Sequence, residues 1–420
     1  MDEDEAFNDS RLCTEYGNFN LTDIAVAEKW LWNGTDFMIV SVIIPVLVFI
    51  GVFGNGSFLF TILRLQKMKS SLNAYLFNLA VCDILILLTA QYWYTSNYLH
   101  TPVAYRTIAV DSKWGCVAYV MSSHPWYFAG IELNTVITVE RYLAICAPLR
   151  HRAMVGLRRT VKLIIIVWAI AVMTTITVVP QYWNFSSFCL EWPDEPGFQS
   201  LPKIHTLCNP VNLYLMTYGV IILQVYFVVG LVFNSVLYAK IIIALSQRSV
   251  ARNPSVSTIS KEGSVPGDQT SDVRNQVART LVANSMIFFI CQMPHRVAAS
   301  EYILDWYDSG FLDVDQYSLL NTIAYGCIIL NSIINPYLYV GSCQYYRNAM
   351  KDAFYCLDDD VDGNVSVDDV DEEDVSVDDV VDEDVSDDDV VDENVSVDDV
   401  DIVLDVDNVV VERFVFKEAQ

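Results

Sequence analysis

Seven long, mostly apolar stretches divide residues 37–344 at regular intervals. Four contain no charged residue: 27 residues from Phe37 to Leu63, 21 from Leu163 to Trp183, 29 from Val211 to Ala239 and 29 from Gln316 to Gln344. Three others, 73–97, 114–146 and 279–304, contain a few charged residues. Roughly 20 apolar helical residues cross the bilayer core. A soluble core could explain one such stretch but not seven, so the sequence predicts an all-α membrane protein, a seven-transmembrane helix bundle.

The loops between these stretches alternate in charge. Lys and Arg follow the first, third, fifth and seventh stretches: Arg64, Lys67 and Lys69; Arg150, Arg152, Arg158, Arg159 and Lys162; Arg248, Arg252, Lys261 and Arg274; Arg347 and Lys351. The opposite loops are richer in Asp and Glu. Because basic loops stay in the cytoplasm, we expect a multi-pass plasma-membrane protein with its N-terminus outside. The first 36 residues contain no apolar signal-peptide core.

The net charge of -27 is concentrated at the C-terminus. Of the 52 acidic residues, 27 lie in 358–420, which contains only two of the 25 basic residues. This segment repeats a Val-Ser-Val-Asp-Asp-Val pattern about every ten residues, and like charges at this density prevent packing. We therefore expect a disordered acidic cytoplasmic tail. The remaining body is nearly neutral, which argues against nucleic acid binding. The Ser-, Pro- and Gly-rich inner loop 249–272 is also predicted to be disordered.

The chain thus divides into an extracellular N-terminus (1–36), a seven-helix domain (37–357) and the acidic tail (358–420). Acceptor patterns for N-glycosylation occur on the predicted outer side. They begin at Asn8, Asn20, Asn33 and Asn184. A short amphipathic eighth helix over 346–354 should lie on the lipid surface, and Cys356 just beyond it could be palmitoylated or remain a free thiol.

Polar side chains within the apolar stretches are costly in lipid and usually functional. Asp83 lies in the middle of the second stretch, and the seventh offers Asn331, Ser332 and Asn335. Oxygen ligands of this kind suit hard cations. The cluster could therefore hold a hydrated Na+, or it could be a water-satisfied network that only fixes helix packing.

A set of motifs follows the seven stretches in order. They are Asn55, Leu79-Ala80-Val81-Cys82-Asp83, Trp114-Gly115-Cys116, Glu140-Arg141-Tyr142, Trp168, Tyr238, Pro294 and Asn335-Pro336-Tyr337-Leu338-Tyr339. Together they resemble the rhodopsin-class (class A) G-protein-coupled receptors over residues 37–356. Within that class the chain is similar to invertebrate neuropeptide receptors of the FMRFamide and thyrotropin-releasing-hormone type.

The resemblance implies a switch at the inner end. Arg141 is held by Glu140 in the inactive state and, once released, reaches the G protein with support from Tyr238 and Tyr339. Pro294 kinks the sixth helix, which swings outward. The implied switch and coupling residues are Glu140, Arg141, Tyr142, Leu149, Tyr238, Phe288, Pro294, Asn335, Pro336 and Tyr339.

Four cysteines lie on the predicted outer side, where disulfides persist. The resemblance pairs Cys116 with the second outer loop, which contains Cys189 and Cys208. Cys208 is preferred because it lies 22 residues before Gly230, nearer the family's usual spacing. Cys13 and Cys189 could then form a second bridge, although four cysteines allow three pairings.

Several positions depart from the family pattern. Gly230 stands where the family usually has Pro, Gln292 where it usually has Trp, and Gly130 where a Ser often helps to bind Na+. Asn134 occupies a usually apolar position beneath the pocket. Weaker apolar contacts predict ligand-free signalling above that of typical peptide receptors; the alternative is divergence with unchanged signalling.

The outer halves of the stretches carry the candidate ligand-binding residues. They are Gln91, Tyr94, His124, Gln181, Tyr218, His295, Arg296 and Glu301. A buried Arg needs a partner, and that partner is either Glu301 or an oxygen of a ligand. The acidic outer segments would attract a cationic peptide. Ser123 stands where amine receptors carry Asp, so a monoamine would lack its counter-ion.

We therefore expect a receptor for an extracellular peptide that activates heterotrimeric G proteins. The alternative is a seven-helix protein that binds ligand without activating a G protein. No nucleophile, base and orienting group occur at usable spacing, so the chain is not expected to be an enzyme. Further expected partners are membrane lipid and arrestin-type regulators, which would contact the acidic tail.

Overall fold

The computed structural model of this chain describes residues 18–104, 108, 110–154, 156–251, 266–307 and 309–359. They belong to the first of two units, Met1–Glu383, and the second unit, Asp384–Gln420, lies outside them. The predictions for Asn8, Cys13 and the acidic tail therefore fall outside the described residues. The same holds for the side chain of Cys356.

Seven long helices and a shorter final one make up most of the described chain. They are α1 (Ile44–Arg64), α2 (Ser71–His100), α3 (Lys113–Cys146), α4 (Leu157–Val178), α5 (Leu213–Ala251), α6 (Pro266–Trp306), α7 (Val314–Ser342) and α8 (Gln344–Asp359). Short helices cover Ile24–Lys29, Gly34–Met38 and Pro148–Met154. A π-helical turn, Ile39–Ile43, leads into α1, and 3-10 turns cover Gln66–Met68 and Val179–Gln181.

The helices pack as a bundle with α3 in its interior. α1 contacts α2 and α7, α6 lies between α5 and α7, and α3 contacts α2, α4, α5 and α6. We call the end of the bundle that carries the Ile24–Lys29 helix the outer end, and the end that carries α8 the inner end. The largest buried apolar cluster spans the bundle and includes Phe58, Leu76, Phe128 and Phe288.

Apolar side chains also cover the outside of the bundle. Large ones such as Phe49, Phe53, Ile165 and Val229 are exposed there, as expected of helices that face lipid. Within the described residues, six helical segments are long and apolar enough to cross a membrane: Gly34–Arg64, Ser71–His100, Leu157–Gln181, Leu213–Gln247, Asn275–Leu304 and Gln316–Ser342. The predicted class, an all-α membrane protein, is confirmed.

α3 is not among those six segments, although it has 34 residues and packs inside the bundle. Its sequence is less apolar because Glu132, Glu140 and Arg141 interrupt it. The Glu132 and Glu140 carboxylates are not buried without partners, because residues of neighbouring helices form hydrogen bonds with both. A polar central helix is therefore compatible with the seven-helix prediction.

The inner loop between α5 and α6 is shorter than predicted. α5 continues to Ala251 and α6 begins at Pro266, so helix occupies both ends of the segment 249–272 that was predicted to be disordered. Proline is favourable at the first helical position. That prediction is wrong for these two ends, and 252–265 lie outside the described residues.

α8 begins directly after α7 and packs against the inner end of α1. Its buried face carries Tyr346, Ala349 and Ala353. The Lys67 ammonium lies 2.5 Å from the Asp352 carboxylate, and the Tyr345 hydroxyl donates to the Lys67 carbonyl at 2.9 Å. The short eighth helix predicted over 346–354 is thus present with bounds 344–359.

A small sheet at the outer end joins the N-terminal segment to the second outer loop. Strands β2 (Asn184–Glu191) and β3 (Ile204–Asn209) form an antiparallel hairpin, and β1 (Asn18–Asn20) adds to β2 in parallel. Beneath it, Leu21, Ala27 and Trp30 are buried with Val103 and Leu190. The N-terminal segment is therefore a packed part of the outer end from Asn18 onward.

Candidate functional site

A half-buried cluster of aromatic and imidazole rings occupies the outer half of the bundle. α2 contributes Tyr94, α3 contributes Tyr119, His124 and Tyr127, the end of α4 leads to Tyr182, α6 contributes His295 and α7 contributes Tyr325. Neighbouring ring centroids lie 5.7 to 6.3 Å apart, mostly tilted or edge to face, as aromatic pairs prefer. Burial raises the pKa of the Tyr182 hydroxyl, so this residue presents a neutral donor.

Arg296 lies at the floor of this cluster and is only 8% exposed. Its guanidinium donates to the Tyr127 hydroxyl and lies over the rings of Tyr127 and Phe227, with centroid distances of 5.5 and 5.4 Å. No carboxylate among the described residues forms a salt bridge with it. Cation–π contacts offset only part of the cost of burying a charge, so this site favours an additional anionic or strongly polar acceptor.

Four buried polar atoms around the cluster have no hydrogen-bond partner among the described residues. They are Gln91 Oε1, Gln181 Nε2, His295 Nδ1 and Arg296 Nε. Buried polar atoms are normally paired, so unpaired ones near the rings are candidates to bind a ligand. All four belong to predicted ligand-binding residues, and Tyr94 and His124 join the same cluster through their rings.

Glu301 and Tyr218 are placed differently from these residues. The Glu301 carboxylate accepts hydrogen bonds from the backbone N–H groups of Phe311 and Leu312 at 2.6 and 2.7 Å. It therefore fixes the turn between α6 and α7 and does not pair with Arg296. Tyr218 is 65% exposed on α5, so the structure does not bring it into the ring cluster.

Tyr127 makes interhelical contacts that sequence reasoning missed. Its hydroxyl accepts from Arg296 and donates to Gln292 Oε1 at 2.8 Å, which links α3 to α6 next to Pro294. Gln292 was expected only to weaken apolar contacts, but it also forms this interhelical bond. A tyrosine on α3 carries no local signal of such a role, because the bond depends on the helix packing.

The charged residue Glu132 is also paired within the bundle. The Tyr226 hydroxyl of α5 donates to its carboxylate. Asn234 on the same helix donates to the Thr135 hydroxyl at 3.1 Å. These contacts satisfy the polar groups that interrupt the third apolar stretch and hold α3 against α5.

The predicted Na+ cluster is assembled near the middle of the bundle. Asn335 Nδ2 donates to the Asp83 carboxylate at 2.6 Å, and Asn55 Nδ2 donates to the Ser332 carbonyl at 2.9 Å. Asp83 and Ser332 are buried, and Asn331 Oδ1 is buried without a partner among the described residues. The cluster is therefore an oxygen-rich site with Asn335 as a donor to Asp83.

At the inner end, Glu140 has two cationic or protonatable neighbours. Arg141 lies 4.0 Å from its carboxylate, whereas His151 Nε2 lies 2.8 Å from the same oxygen. Arg141 is 3% exposed and its Nε has no partner among the described residues. The predicted ion pair is thus loose, and His151 makes the shorter contact.

The other predicted switch residues are distributed over α3, α5, α6, α7 and the short helix Pro148–Met154. Tyr238 contacts Thr138 through their hydroxyls at 2.9 Å, and Tyr339 packs between Phe58 and Tyr346, with centroid distances of 5.2 and 5.7 Å. Phe288 is buried in the core, whereas Leu149 is 77% exposed. Tyr142 packs beside Tyr238, while Pro294 lies inside α6 and Pro336 inside α7.

Disulfides at the outer end agree with the preferred pairing. Cys116 on α3 is bonded to Cys208 on β3, which confirms that prediction. Cys189 is disulfide-bonded as well, but the prediction that Cys13 is its partner lies outside the described residues. Cys82, Cys291, Cys327 and Cys343 are free thiols, as expected for the bundle interior and inner side. The Cys146 thiol donates to the Lys240 carbonyl.

The predicted N-glycosylation asparagines within the described residues differ in the hydrogen bonds that their side chains form. Asn20 and Asn33 use their Oδ1 atoms to accept local hydrogen bonds, which leaves the amide nitrogens outward. Asn184 instead donates from Nδ2 to the Pro210 carbonyl at 3.1 Å. A glycan attaches to that nitrogen, so modification at Asn184 requires this contact to break.

Comparisons with known proteins cover most of the bundle. The model of the family described as 7 transmembrane receptor (rhodopsin family) matches residues 54–339. The thyrotropin-releasing hormone receptor of Mus musculus is 24% identical over 76% of this chain and 80% of its own length. Neuromedin-U receptor 2 of Rattus norvegicus is 25% identical over 74% of each. Neurotensin receptor type 1 of Homo sapiens is 27% identical over 81% and 82%.

Proposed function

Because this chain belongs to the rhodopsin family of seven-transmembrane receptors, we propose that it is the receptor of an extracellular peptide and activates heterotrimeric G proteins through movement of α6. Members of this family are signalling receptors and multi-pass membrane proteins, so the chain is not an enzyme. The peptide ligand is supported by relatives named as receptors for thyrotropin-releasing hormone, neuromedin U and neurotensin.

The observation that carries this proposal is the buried guanidinium of Arg296. It lies next to a ring cluster to which four helices and the segment after α4 contribute. No carboxylate among the described residues forms a salt bridge with it. A peptide supplies what such a site needs, since it brings backbone or terminal oxygens for Arg296 together with apolar side chains for the rings. The ligand oxygen nearest the floor of the pocket is therefore proposed to bind Arg296.

Ligand binding can reach α6 through Tyr127. An acceptor that draws Arg296 away from the Tyr127 hydroxyl changes the bond from Tyr127 to Gln292, two residues before the Pro294 kink. A kinked helix pivots more readily than a straight one. We propose that this relay favours the outward position of α6, in which Arg141, Tyr238 and Tyr339 rearrange to receive the G protein.

Na+ is proposed as a modulator of the inactive state. Asp83, Asn331 and Ser332 would hold it, because carboxylate, amide and hydroxyl oxygens suit a hard cation. The buried, unpaired Asn331 Oδ1 fits that role. When bound, Na+ would supply positive charge that compensates the buried carboxylate.

The proposed location is the plasma membrane with the N-terminus outside. The basic inner loops support this orientation, as does the disulfide at the outer end, since disulfides persist in the extracellular environment. Contacts of the acidic tail with arrestin-type regulators and of α8 with lipid are part of the same proposal.

A panel of neuropeptides, each as free acid and as amide, tests the ligand class. Cells that express the full chain with a promiscuous G-protein reporter should respond to at least one peptide, and vector-only cells should not. If a peptide binds the receptor specifically but no reporter responds, the chain is instead a ligand-binding protein that does not signal. If none of the peptides binds the receptor specifically, the assignment of a peptide ligand is contradicted.

Ligand-free signalling is expected to fall when Asn134 is replaced by Leu. Asn134 is 2% exposed; its amide nitrogen bonds only the Gly130 carbonyl of its own helix, and its Oδ1 is unpaired among the described residues. A buried unsatisfied oxygen destabilises its surroundings by about 1–3 kcal/mol, enough to erode a two-state bias of a few kcal/mol. Basal guanine-nucleotide exchange would measure the change.

Thr175→Val is the matched control, because it removes a buried hydroxyl that donates to the Ala171 carbonyl of its own helix, α4, and leaves the Asn134 site unchanged; its basal exchange should equal that of the wild type. Unchanged basal exchange in Asn134→Leu, or no exchange to lower in the wild type, would contradict the expectation.

A further inference from the structure

We propose that His151 is a positioning residue of the Glu140–Arg141 switch and that its charge makes ligand-free signalling depend on cytosolic pH. This inference rests on the proposed coupling to G proteins. It concerns a residue in the short helix Pro148–Met154, which follows α3 at the inner end. His151 is buried there at 3% exposure, although it lies in a basic loop.

The hydrogen-bond geometry gives His151 the stronger hold on Glu140. A carboxylate oxygen accepts, so Nε2 must carry the proton that it donates across 2.8 Å. Arg141 reaches the same oxygen only at 4.0 Å, which is the outer limit of a salt bridge. His151 therefore orients the carboxylate on which the restraint of Arg141 depends.

The groups around this contact come from three neighbouring elements. α3 contributes Glu140 and Arg141, α4 contributes Arg159, and α2 contributes Tyr75, whose hydroxyl bonds Thr160. Arg150 and Arg152 lie on the same short helix as His151. Arg159 also donates to the Met154 carbonyl at 3.3 Å, which ties that helix to α4. Glu140 is thus the carboxylate that His151, Arg141 and Arg159 share.

Protonation of His151 changes the competition for that carboxylate. Imidazole is the side chain whose charge ordinarily changes between about pH 5 and pH 8. Neutral His151 only donates a hydrogen bond, whereas the imidazolium adds a full positive charge that attracts Glu140 and repels Arg141. Arg141 is then held less firmly, so acidification of the inner side should raise ligand-free activity.

The effect of His151 can be distinguished from effects of the other histidines by their positions in the fold. The chain has five histidines, and the other four are His100, His124, His205 and His295. All four lie in the outer halves of helices or in outer strands, away from the G-protein face. Among the histidines, His151 is therefore the one at the inner end, and the variant His151→Gln separates its contribution from that of the carboxylates there.

The experiment follows the position of α6 and nucleotide exchange in parallel. The full chain is placed in lipid nanodiscs with the substitution Arg279→Cys, at an exposed position near the inner end of α6. An environment-sensitive fluorophore is attached to this cysteine. The signal of labelled receptor that lacks the substitution is subtracted as background. Fluorescence and the exchange rate of purified G protein are measured from about pH 5.5 to about pH 8. G protein alone provides the baseline for exchange.

His151→Gln can donate the same hydrogen bond but cannot gain charge, and His205→Gln is the matched control on the outer hairpin. The wild type and His205→Gln should shift their fluorescence toward the outward α6 state at low pH and exchange roughly threefold faster, the effect of a modest charge contact. His151→Gln should be flat in both readouts.

An equal pH dependence in His151→Gln, or a flat wild type in the fluorescence readout, would overturn the role of His151. If fluorescence shifts with pH only when His151 is present but no exchange occurs, the positioning role stands and the coupling to G protein fails. The two proposals can therefore fail separately.

Discussion

Replacing Arg296 by Ala is expected to lower the potency of the activating peptide by about 30-fold or more. The guanidinium is buried beneath the ring cluster, and its described partners are the Tyr127 hydroxyl and two aromatic rings. Without Arg296 the ligand oxygen that reaches the floor of the pocket would be buried without a partner. Dose–response curves for nucleotide exchange measure the shift.

Arg296→Lys tests whether charge alone suffices. Lysine keeps the positive charge but lacks the planar guanidinium that lies on both rings, so potency should be intermediate. Lys203→Ala, which removes an exposed cation of the outer end, is the control and should change potency little. Unchanged potency in Arg296→Ala, at normal surface expression, would contradict the assignment.

Loss of the disulfide between Cys116 and Cys208 is expected to be the largest change in stability. The bridge joins positions 92 residues apart and anchors the outer hairpin to α3. Removal of a native disulfide typically costs about 2–5 kcal/mol, chiefly because the unfolded chain becomes less constrained. Cys208→Ser should therefore lower the thermal unfolding temperature and the amount of receptor at the cell surface.

Cys327→Ser provides the matched control, since Cys327 is a half-buried free thiol, and it should behave like the wild type. Peptide mapping of the unreduced protein provides a second test of the pairing. A Cys116–Cys189 peptide, or an unfolding temperature for Cys208→Ser equal to that of the wild type, would contradict the bridge assignment.

The helices and their motifs could be predicted because their signals are local. Apolar stretches of membrane-spanning length define each helix, and motif residues such as Asp83, Arg141 and Pro294 lie at fixed places within them. Asp83 and Asn335 were expected to share one cluster, and the structure joins them directly. The family resemblance supplied the pairing of Cys116 with the second outer loop, and the spacing from Cys208 to Gly230 favoured Cys208 over Cys189.

Contacts between distant segments could not be predicted in the same way. β1 has only three residues and pairs with a strand more than 160 positions later. A segment this short contains no periodic pattern that could predict a strand. Glu301 was expected either to pair with Arg296 or to bind ligand, because nothing in the sequence shows that it accepts from the turn at Phe311. His151 and Tyr127 gain their roles only when α3 packs beside its neighbours.

The inner loop shows a further limit of local composition. Ser, Pro and Gly across 249–272 favour disorder, but Pro266 also begins a helix well, and α6 continues from it. Composition alone cannot distinguish a proline that breaks structure from one that starts it, because the difference depends on the helix that follows.

Nucleotide exchange by purified heterotrimeric G protein tests the central claim most directly. The full chain in nanodiscs is combined with G protein and the peptide found in the screen, and Arg141→Ala is the paired variant because Arg141 is the proposed contact with the G protein. The account predicts that peptide raises the exchange rate of the wild type several-fold and leaves Arg141→Ala near its baseline. Specific peptide binding with no rise in exchange, or an equal rise in both receptors, would contradict it.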